Sequence, residues 1–539
     1  MSKLFEHLCA ARGITPGFLN PKYDNLTDPF TLTDMNKAVA RIQQAISDQE
    51  KILIYGDYDV DGVTSSTVME QALILAGLKP ENIQIMLPDR FADGYGMSPK
   101  LIKRAKEQNI TLVITVDCGS RNHAIITELN ELKIDTIITD HHETDDAMPE
   151  ATAILNPHRK DHPTPELNNL AGVGVAFKLA QALVNKNLIK NGQEKWLLDL
   201  VLLGTICDNM TLKGDNRALT YYGIKVLGKT RRPGLKELMV KAGVKNLNTD
   251  AIGFQIGPRL NAAGRLDTAD LSLNLLRAKT PLESAPLAEK LEQLNKKRKT
   301  EQLSATKEIK DRGVSKDPVI IEAGKWHEGI LGIVAGRLVE DYQRPAFVLT
   351  ETENSVYKGS GRSFGDFNLA DALEHLKDTI ISGGGHAGAA GVKVEQKNLY
   401  KFREQINEYY RSLHLPDQSK YLQHHADLTL TDFSDLTLAT LDELQLLEPY
   451  GPGNEEPIFH LQDIDLLNVT RMGADRNHLR LDLRDHHNRH LKCLAFFAPE
   501  EWLQLDPATD RIELLVKLTL NDFNGVKSLE ARICDIIKL

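Results

Sequence analysis

The sequence predicts a multidomain α/β protein: a parallel-sheet domain, a long connecting helix, a smaller α/β domain and a C-terminal β-barrel. Three observations carry this. From Ile52 onward short apolar strand patterns alternate with helical ones, as in a parallel sheet covered on both faces. Leucines at 287, 291 and 294 beside the charged run Lys296-Lys297-Arg298-Lys299 mark a helix over 283–312, about 45 Å long. From residue 446 several short alternating strands follow one another, the pattern of a small barrel. At 539 residues the chain is too long for one core.

Composition narrows the class. With 41% hydrophobic and 26% charged residues the chain is globular. Lys3, Glu6 and Arg12 interrupt the N-terminus, and no apolar run approaches the ~18 residues that span a bilayer. The expectation is a cytoplasmic protein without signal peptide or anchor. Cys9, Cys118, Cys207, Cys493 and Cys534 are scattered and form no C-x-x-C pair, which argues against a disulfide framework or a zinc knuckle. The net charge of −10 gives no whole-molecule attraction for nucleic acid, so such binding needs local basic patches or metal-bridged phosphates.

In chain order, residues 1–45 read as an N-terminal arm, turn-rich from Gly13 to Pro29 and helical from Thr33 to Ile46. Strands are then expected at Ile52–Tyr55, Ile83–Leu87, Leu112–Val116 and Thr136–Thr139, with helices at Thr64–Ala76, Leu101–Gln108 and Ala124–Leu132. Open parallel sheets bind ligands beyond the carboxyl ends of their strands. Polar groups follow each strand here: Asp57, Asp59 and Asp61, then Asp89 and Arg90, then Asp117, then Asp140, His141 and His142. We read them as one site. If the segment after the first strand is extended, Asp57, Asp59 and Asp61 share a face and repel unless a cation lies between them. Hard oxygen ligands at this density suit Mg²⁺ or Mn²⁺, and Gly62 is expected to turn the backbone into the next helix. A solvated acidic loop is the alternative. A calcium-binding loop is excluded, because no Glu occupies its twelfth position.

Tyr55-Gly56-Asp57-Tyr58-Asp59-Val60-Asp61-Gly62, Val116-Asp117-Cys118-Gly119 and Asp140-His141-His142 resemble successive signatures of the DHH phosphoesterases, which hydrolyse phosphodiester or phosphoanhydride bonds with two divalent metals. Within that superfamily Leu87 to Gly96 and Gly257 to Leu266 are similar to the RecJ exonucleases, which degrade single-stranded DNA from the 5′ end. The resemblance runs over nearly the whole chain from residue 50. It implies a DHH catalytic domain with helical extension at 46–282, a connecting helix at 283–312, a DHHA1 substrate-binding domain at 313–415, a linker at 416–445 and an OB-like nucleic-acid-binding domain at 446–539.

The resemblance also implies roles. Two ions, Mn²⁺ or Mg²⁺, would be held by Asp59, Asp61, Asp117, His141 and Asp208, with Asp117 as the bridge. The family more often has a small residue before the last of these and an apolar-Pro-Leu run after it, where this chain has Cys207 and Asn209-Met210-Thr211-Leu212. Asp57 and His142 are the catalytic candidates, Asp57 supporting the ligand shell and His142 supporting the metals or protonating the leaving oxygen. Asp140 is the candidate partner for the second nitrogen of His141. Arg90, Arg259 and Arg265 would reach a terminal phosphate from the first domain. Ser360, Arg362 and His386, in the glycine-rich segments 359–363 and 382–391, would hold substrate from the second. The activity implied is 5′-to-3′ release of 5′-mononucleotides in DNA repair and recombination, with helicases or single-strand-binding proteins as candidate partners. Two rivals are a DHH phosphodiesterase of small nucleotides, against which residues 446–539 weigh, and a non-catalytic single-strand-binding scaffold, which loss of metal ligands would mark. All the candidate ligands are present.

Several motifs mislead. Gly223 to Thr230 satisfies the P-loop pattern but sits at the end of a helical pattern rather than after a strand. His327-Glu328 lacks the second His of a zinc-protease helix, since Leu331 stands there. The basic run 296–299 reads as a solvated face, the second Asp-His-His at 485–487 as an exposed hairpin turn, and Phe496 and Phe497 as core. Between Arg471 and Lys492 six basic residues outnumber three acidic ones, a local exception that could track a single strand.

Overall fold

The first strands are short and apolar because helices cover both faces of their sheet. β1 (Ile52–Tyr55), β2 (Ile83–Met86), β3 (Leu112–Val116), β4 (Asp135–Thr139) and β5 (Ala153–Leu155) run parallel in the order β2-β1-β3-β4-β5, and every residue of β1 and β3 is buried. The structure, a computed structural model, describes residues 1–539 apart from Tyr95, Asp417, Leu422, Gln423 and Asn524. Tyr95, in the segment Leu87 to Gly96, and Asn524, of the Asn524-Gly525 pair at which the sequence predicts a turn, therefore lie outside the described residues. The four expected strands are present. The fifth, three residues long, is too short to leave a periodic signal. Strand order reverses between β1 and β3, and the acidic turns follow those two strands, where a doubly wound sheet opens a crevice.

The helix after β1 corrects the sequence reading. It spans Val60–Leu75, with Asp59 as N-cap accepting a hydrogen bond from the Gly62 N–H at 3.0 Å. Asp57, Asp59 and Asp61 therefore do not line one face of an extended segment; a strand-to-helix turn gathers them. The Thr64-Ser65-Ser66 segment, where the sequence predicts the helix to start, is buried helix interior. There the hydroxyls of Thr64, Ser66 and Thr67 satisfy themselves on carbonyls four residues back. Gly62 lies inside the first turn, where a Cβ would come within 2.4 Å of the Asp57 carbonyl oxygen. It serves close approach of backbone to backbone.

The chain divides into two compact units: Met1–Leu26, Thr211–Tyr222 and Leu422–Leu539 form one, Thr27–Met210 and Gly223–Tyr421 the other. The expected N-terminal arm contributes to both. Helix Lys3–Ala11 packs Phe5 and Leu8 into the core of the smaller unit. Helix Met35–Ser47 belongs to the larger, where Arg41 pairs with Glu50 and Asp135.

In the larger unit the connecting helix spans Pro281–Arg312, capped by Thr280. Lys296, Lys297 and Lys299 are exposed, whereas Arg298 is half-buried, so the basic run is not wholly a solvated face. The helix leads to a second sheet of β6 (Ile320–Gly324), β7 (Ala346–Thr352), β8 (Val356–Arg362), β9 (Ser382–Gly385) and β10 (Ala389–Glu395), ordered β6-β7-β8-β10-β9. Only β6 and β7 pair in parallel. Cβ atoms at Gly359 and Gly361 of β8 would strike Leu349 and Phe347, so glycine there lets β8 lie flat on the core.

The smaller unit carries a mixed sheet ordered β11-β12-β16-β17-β15-β14-β13. Its strands are β11 (Leu428–Leu430), β12 (Phe459–Leu461), β13 (Asp465–Met472), β14 (His478–Arg484), β15 (His490–Ala495), β16 (Ile512–Phe523) and β17 (Val526–Lys538). Bulges that leave Leu467 of β13 and Cys534 of β17 unpaired bend those two strands. Two readings change here. Phe496 and Phe497 are 58% and 77% exposed rather than core. In the second Asp-His-His the two histidines are exposed, but Asp485 is buried, accepting from the amides of Phe433, His487 and Arg489. The P-loop look-alike ends a helix at Leu227, and the Thr230 hydroxyl is spent on Asp199 at 2.6 Å. Among the described residues no helix is long and apolar enough to cross a membrane.

Candidate active site

Five segments converge at the switch point of the parallel sheet. Asp57, Asp59 and Asp61 come from the turn after β1, Asp117 from the turn after β3, and Asp140, His141 and His142 from the end of β4. Helix Gly172–Asn185 presents its N-terminus, and Asp208 caps helix Leu198–Cys207. Asp61 is held by that N-terminus: its Oδ2 accepts from the Gly172 N–H at 2.7 Å and its Oδ1 from the Val173 N–H at 2.9 Å. Asp117 occupies the left-handed region at φ +60°, with its amide fixed on the Thr139 carbonyl at 2.9 Å. Such strain in a residue other than glycine is kept where a side chain must be aimed.

The histidines divide their work. His141 Nε2 lies 3.0 Å from Asp117 Oδ1, 3.6 Å from Asp208 Oδ2 and 3.7 Å from Asp61 Oδ2. Asp140 is not the partner of His141. Its Oδ1 contacts His142 Nδ1 at 2.9 Å and accepts from both histidine amides, while its Oδ2 accepts from the Ser120 N–H. His141 instead bonds the backbone of Leu170. Potential ligand atoms fall within 4.8 Å of one another in three overlapping sets: Asp57, Asp59 and Asp117; Asp61, His141 and Asp208; Asp117, His141 and His142.

Electrostatics shows what these groups lack. Burial, then the neighbouring Asp59 charge, raises Asp57 and Asp61 above the usual carboxylate range; burial, then Asp61, does the same for Asp117 and Asp208. Burial, then His142, lowers His141 to about 3, leaving it neutral. The buried Asp57 Oδ1 has no hydrogen-bond partner, and Asp117 Oδ1 makes no hydrogen bond despite its nearness to His141. Lone pairs therefore face lone pairs across ligand distances. Carboxylate oxygens with one neutral imidazole are a donor set for a hard divalent cation, and the residues present fit two of them.

His142 is different. Against its burial, the hydrogen bond and charge of Asp140 raise it to about 9, and against its own burial Asp140 is held well below the usual carboxylate range. Without metal, stability should fall as pH rises from about 6.5 to 9. The raised carboxyls then lose protons that folding had retained, His142 loses its charge, and His141, neutral in both folded and unfolded chains, contributes no slope. Melting temperatures in chelator across this range should decline, and Mn²⁺ should flatten the decline. A flat profile in chelator would contradict it.

Glycines make the convergence possible. A Cβ at Gly172 would sit 2.6 Å from Asp117 Cβ and 2.7 Å from its Oδ1, and one at Gly204 2.5 Å from Asp61 Oδ1. Gly172→Ala should push Asp117 from its position and cost about 10²-fold in turnover. A rate within threefold of wild type, measured at saturating Mn²⁺, would contradict this.

A second group of charges, all cationic, lies beside the first. Arg90 stacks over Tyr58 at 4.9 Å. Arg265 is lowered to about 9 by burial, then by the charges of Arg90, Arg362 and Arg298. Arg362, from β8, is lowered by burial and then by Arg90, and donates to the Gly361 carbonyl at 2.8 Å and the Ser360 hydroxyl at 3.3 Å. Its Nη2 would lie 2.9 Å from a Cβ at Gly332, in the first turn of helix Leu331–Tyr342. Burial, then the charges of His142 and Arg121, lowers His386. Thus Arg90, Arg265, Ser360 and Arg362 gather. Arg259 is already engaged by Glu292 at 2.6 Å and the Gln255 carbonyl at 2.7 Å. Arg298 escaped the sequence reading, although its spacing of seven from Leu291 and four from Leu294 puts it on the buried stripe of its helix.

A parallel sheet with an acid and histidine cluster at its switch point, joined to a second sheet bearing arginine and glycine-rich segments, defines a DHH-type hydrolase. Residues 51–205 match the model of the DHH family, N-terminal domain, residues 316–412 the DHHA1 domain, and residues 427–535 the RecJ OB domain. The single-stranded-DNA-specific exonuclease RecJ of Salmonella typhimurium is 33% identical over 563 residues, covering 99% of this chain and 95% of that protein. The RecJ exonuclease of Bacillus subtilis is 35% identical over 96% of this chain, which spans 65% of that longer relative. The crystal structure of RecJ in complex with Mn²⁺ from Thermus thermophilus superposes with a TM-score of 0.85 at 28% identity, covering 99% of this chain and 76% of that one. The chain belongs to the RecJ family of single-stranded-DNA-specific exonucleases.

Proposed function

We infer that this protein is a metal-dependent exonuclease that hydrolyses single-stranded DNA from its 5′ end to 5′-mononucleotides, serving DNA repair and recombination. The observation that carries the reading is the pairing of two buried poles, carboxylates and a neutral histidine at one and arginines at the other, each repelling itself until a counter-ion arrives. Asp59, Asp61, Asp117, His141 and Asp208 would hold two divalent ions, Mn²⁺ or Mg²⁺, with Asp117 shared. When bound, such a pair activates water and neutralises charge on the phosphoryl group. Arg90, Arg265 and Arg362, with the Ser360 hydroxyl, would bind the terminal 5′-phosphate in forked, charge-assisted hydrogen bonds. The first phosphodiester then falls at the carboxylate pole. Asp57 supports the ligands around it. His142, charged at neutral pH and oriented by Asp140, gives its proton to the departing 3′ oxygen. The new 5′-phosphate is what the arginines bind in the next round. Arg259 is tied to Glu292 rather than free for the phosphate, and His386 would steady the strand from the second domain. A cytoplasmic location, and helicases or single-strand-binding proteins as partners, fit such a substrate.

Internally labelled single-stranded DNA with a free, a 5′-blocked or a 3′-blocked end tests this. Mononucleotides should appear with Mn²⁺ unless the 5′ end is blocked, and Asp59→Ala should release none. Release that is blocked only at the 3′ end would overturn the polarity, and binding without cleavage would overturn the enzyme.

A further inference from the structure

Away from the acid and histidine cluster, the larger unit has a hollow of about 420 Å³, the size of a small-molecule site. It lies at the far ends of two helices that carry candidate metal ligands. Gln71 and Leu75, from the last turns of helix Val60–Leu75, line it, and so do Leu197 and Asp199 at the start of helix Leu198–Cys207. About 15 Å of helix separates Gln71 from Asp61, and about 13 Å separates Asp199 from Asp208. Among the described residues none of the arginines placed at the 5′-phosphate lines this hollow, so it is a separate place.

The wall is cationic, and two buried carboxylates leave part of its charge unspent. Glu70 accepts from Arg277 Nη2 at 2.6 Å and from its Nε at 3.0 Å. Asp199 accepts from the Thr230 hydroxyl at 2.6 Å, the Leu200 amide at 2.8 Å and Arg232 Nε at 3.3 Å. Arg277 and Arg232 are thereby matched. Arg231 and Lys279, exposed in the same wall, have no ion pair among the described residues. Glu283 accepts from the Lys279 amide at 2.8 Å but does not line the hollow. Arg231 lies over the Trp196 ring, its Cζ 3.7 Å from the centroid, and the indole is 37% exposed. A Cβ at Gly234 would come within 2.0 Å of the Leu275 carbonyl oxygen. Glycine there lets the start of helix Pro233–Ala242 lie against the end of helix Asp270–Arg277, so the turn bearing Arg231 and the turn bearing Lys279 share one wall.

We propose that this hollow is a nucleotide site apart from the catalytic centre, taking a nucleoside 5′-monophosphate with its base on the Trp196–Arg231 stack and its phosphate between Arg231 and Lys279. Nucleobases stack on aromatic rings and on guanidinium planes alike. Two unspent cations match a phosphate dianion, and the edge of the Arg231 guanidinium can fork onto two of its oxygens while its face stays on the ring. An inorganic anion would leave the indole unused, and an apolar ligand would leave the cations unused. The choice of a monophosphate rests on the exonuclease reading, since that reaction releases it; the site itself does not.

Tryptophan fluorescence of the full chain in chelator, titrated with deoxyadenosine 5′-monophosphate, deoxyadenosine or inorganic phosphate, tests this. The monophosphate should quench saturably and bind at least about tenfold more tightly than either of its halves. Trp196→Leu should remove the quench, and Arg231→Gln and Lys279→Gln should each weaken binding by at least about tenfold. Both cations are exposed, so the melting temperature and the turnover of DNA should stay at their wild-type values. The arginines at the active site also bind a 5′-phosphate in the reading above, so the titration is repeated in Arg265→Gln, where the quench should persist. A quench lost in Arg265→Gln, or one unchanged by both cation replacements, overturns the site. Inorganic phosphate that binds as tightly as the monophosphate overturns the nucleotide assignment, as does quenching by an acidic peptide alone. A wild type that binds the monophosphate at Trp196 yet cuts no DNA would sink the exonuclease reading and leave the site standing.

Discussion

Asp117→Asn is expected to abolish Mn²⁺ binding and lower exonuclease activity by about 10³-fold, the scale of losing a charge aimed at a transition state, while raising the melting temperature of the metal-free protein. The two effects have one cause. Asp117 is buried, faces Asp61, Asp59 and Asp57, and is held in a left-handed conformation. Asn has the same shape and tolerates that conformation, so the substitution removes chiefly charge. Without metal that charge destabilises the fold; in the proposed two-ion site it would be the shared ligand. Activity within tenfold of wild type, or a lowered metal-free melting temperature, would contradict the assignment.

Arg265→Gln should weaken binding of 5′-phosphorylated single strands by about 1.5–3 kcal/mol, the worth of a hydrogen bond to a charged group, or about 10–150-fold in KM. Strands ending in a 5′-hydroxyl should lose much less, so the preference for phosphate should collapse. The same logic of a self-repelling pole applies, since Arg265 is buried among Arg90, Arg362 and Arg298. Measuring KM for both ends separates the roles. Equal losses on both would make Arg265 a structural residue, and an unchanged KM would remove it from the substrate site.

The site was legible where its residues are consecutive, and hidden where the fold supplies the partner. Asp57, Asp59 and Asp61, and the Asp140-His141-His142 run, announce themselves by spacing. The two amides that hold Asp61 lie at Gly172 and Val173, more than a hundred residues on, and neither glycine nor valine carries a chemical signature. The pairing inside Asp140-His141-His142 was misread because adjacent histidines leave a strand end in different directions, and only coordinates say which ring the carboxylate meets. The start of helix Val60–Leu75 was misplaced because Thr and Ser usually mark caps, whereas here the hydroxyls of Thr64, Ser66 and Thr67 bond carbonyls four residues back within a buried helix. Arg259 looked like a substrate ligand until its partner Glu292, on another helix, was found beside it. Phe496 and Phe497 defeated the rule that aromatic residues are buried: the turn after β15 leaves both rings outside, against His478.

The central claim is that the acid and histidine cluster is a two-cation site. Calorimetric titration of Mn²⁺ into the chelator-treated protein tests it most directly. The account predicts two ions per chain in wild type and loss of both strong sites in Asp117→Asn. A single site, or two sites untouched by the substitution, would contradict it.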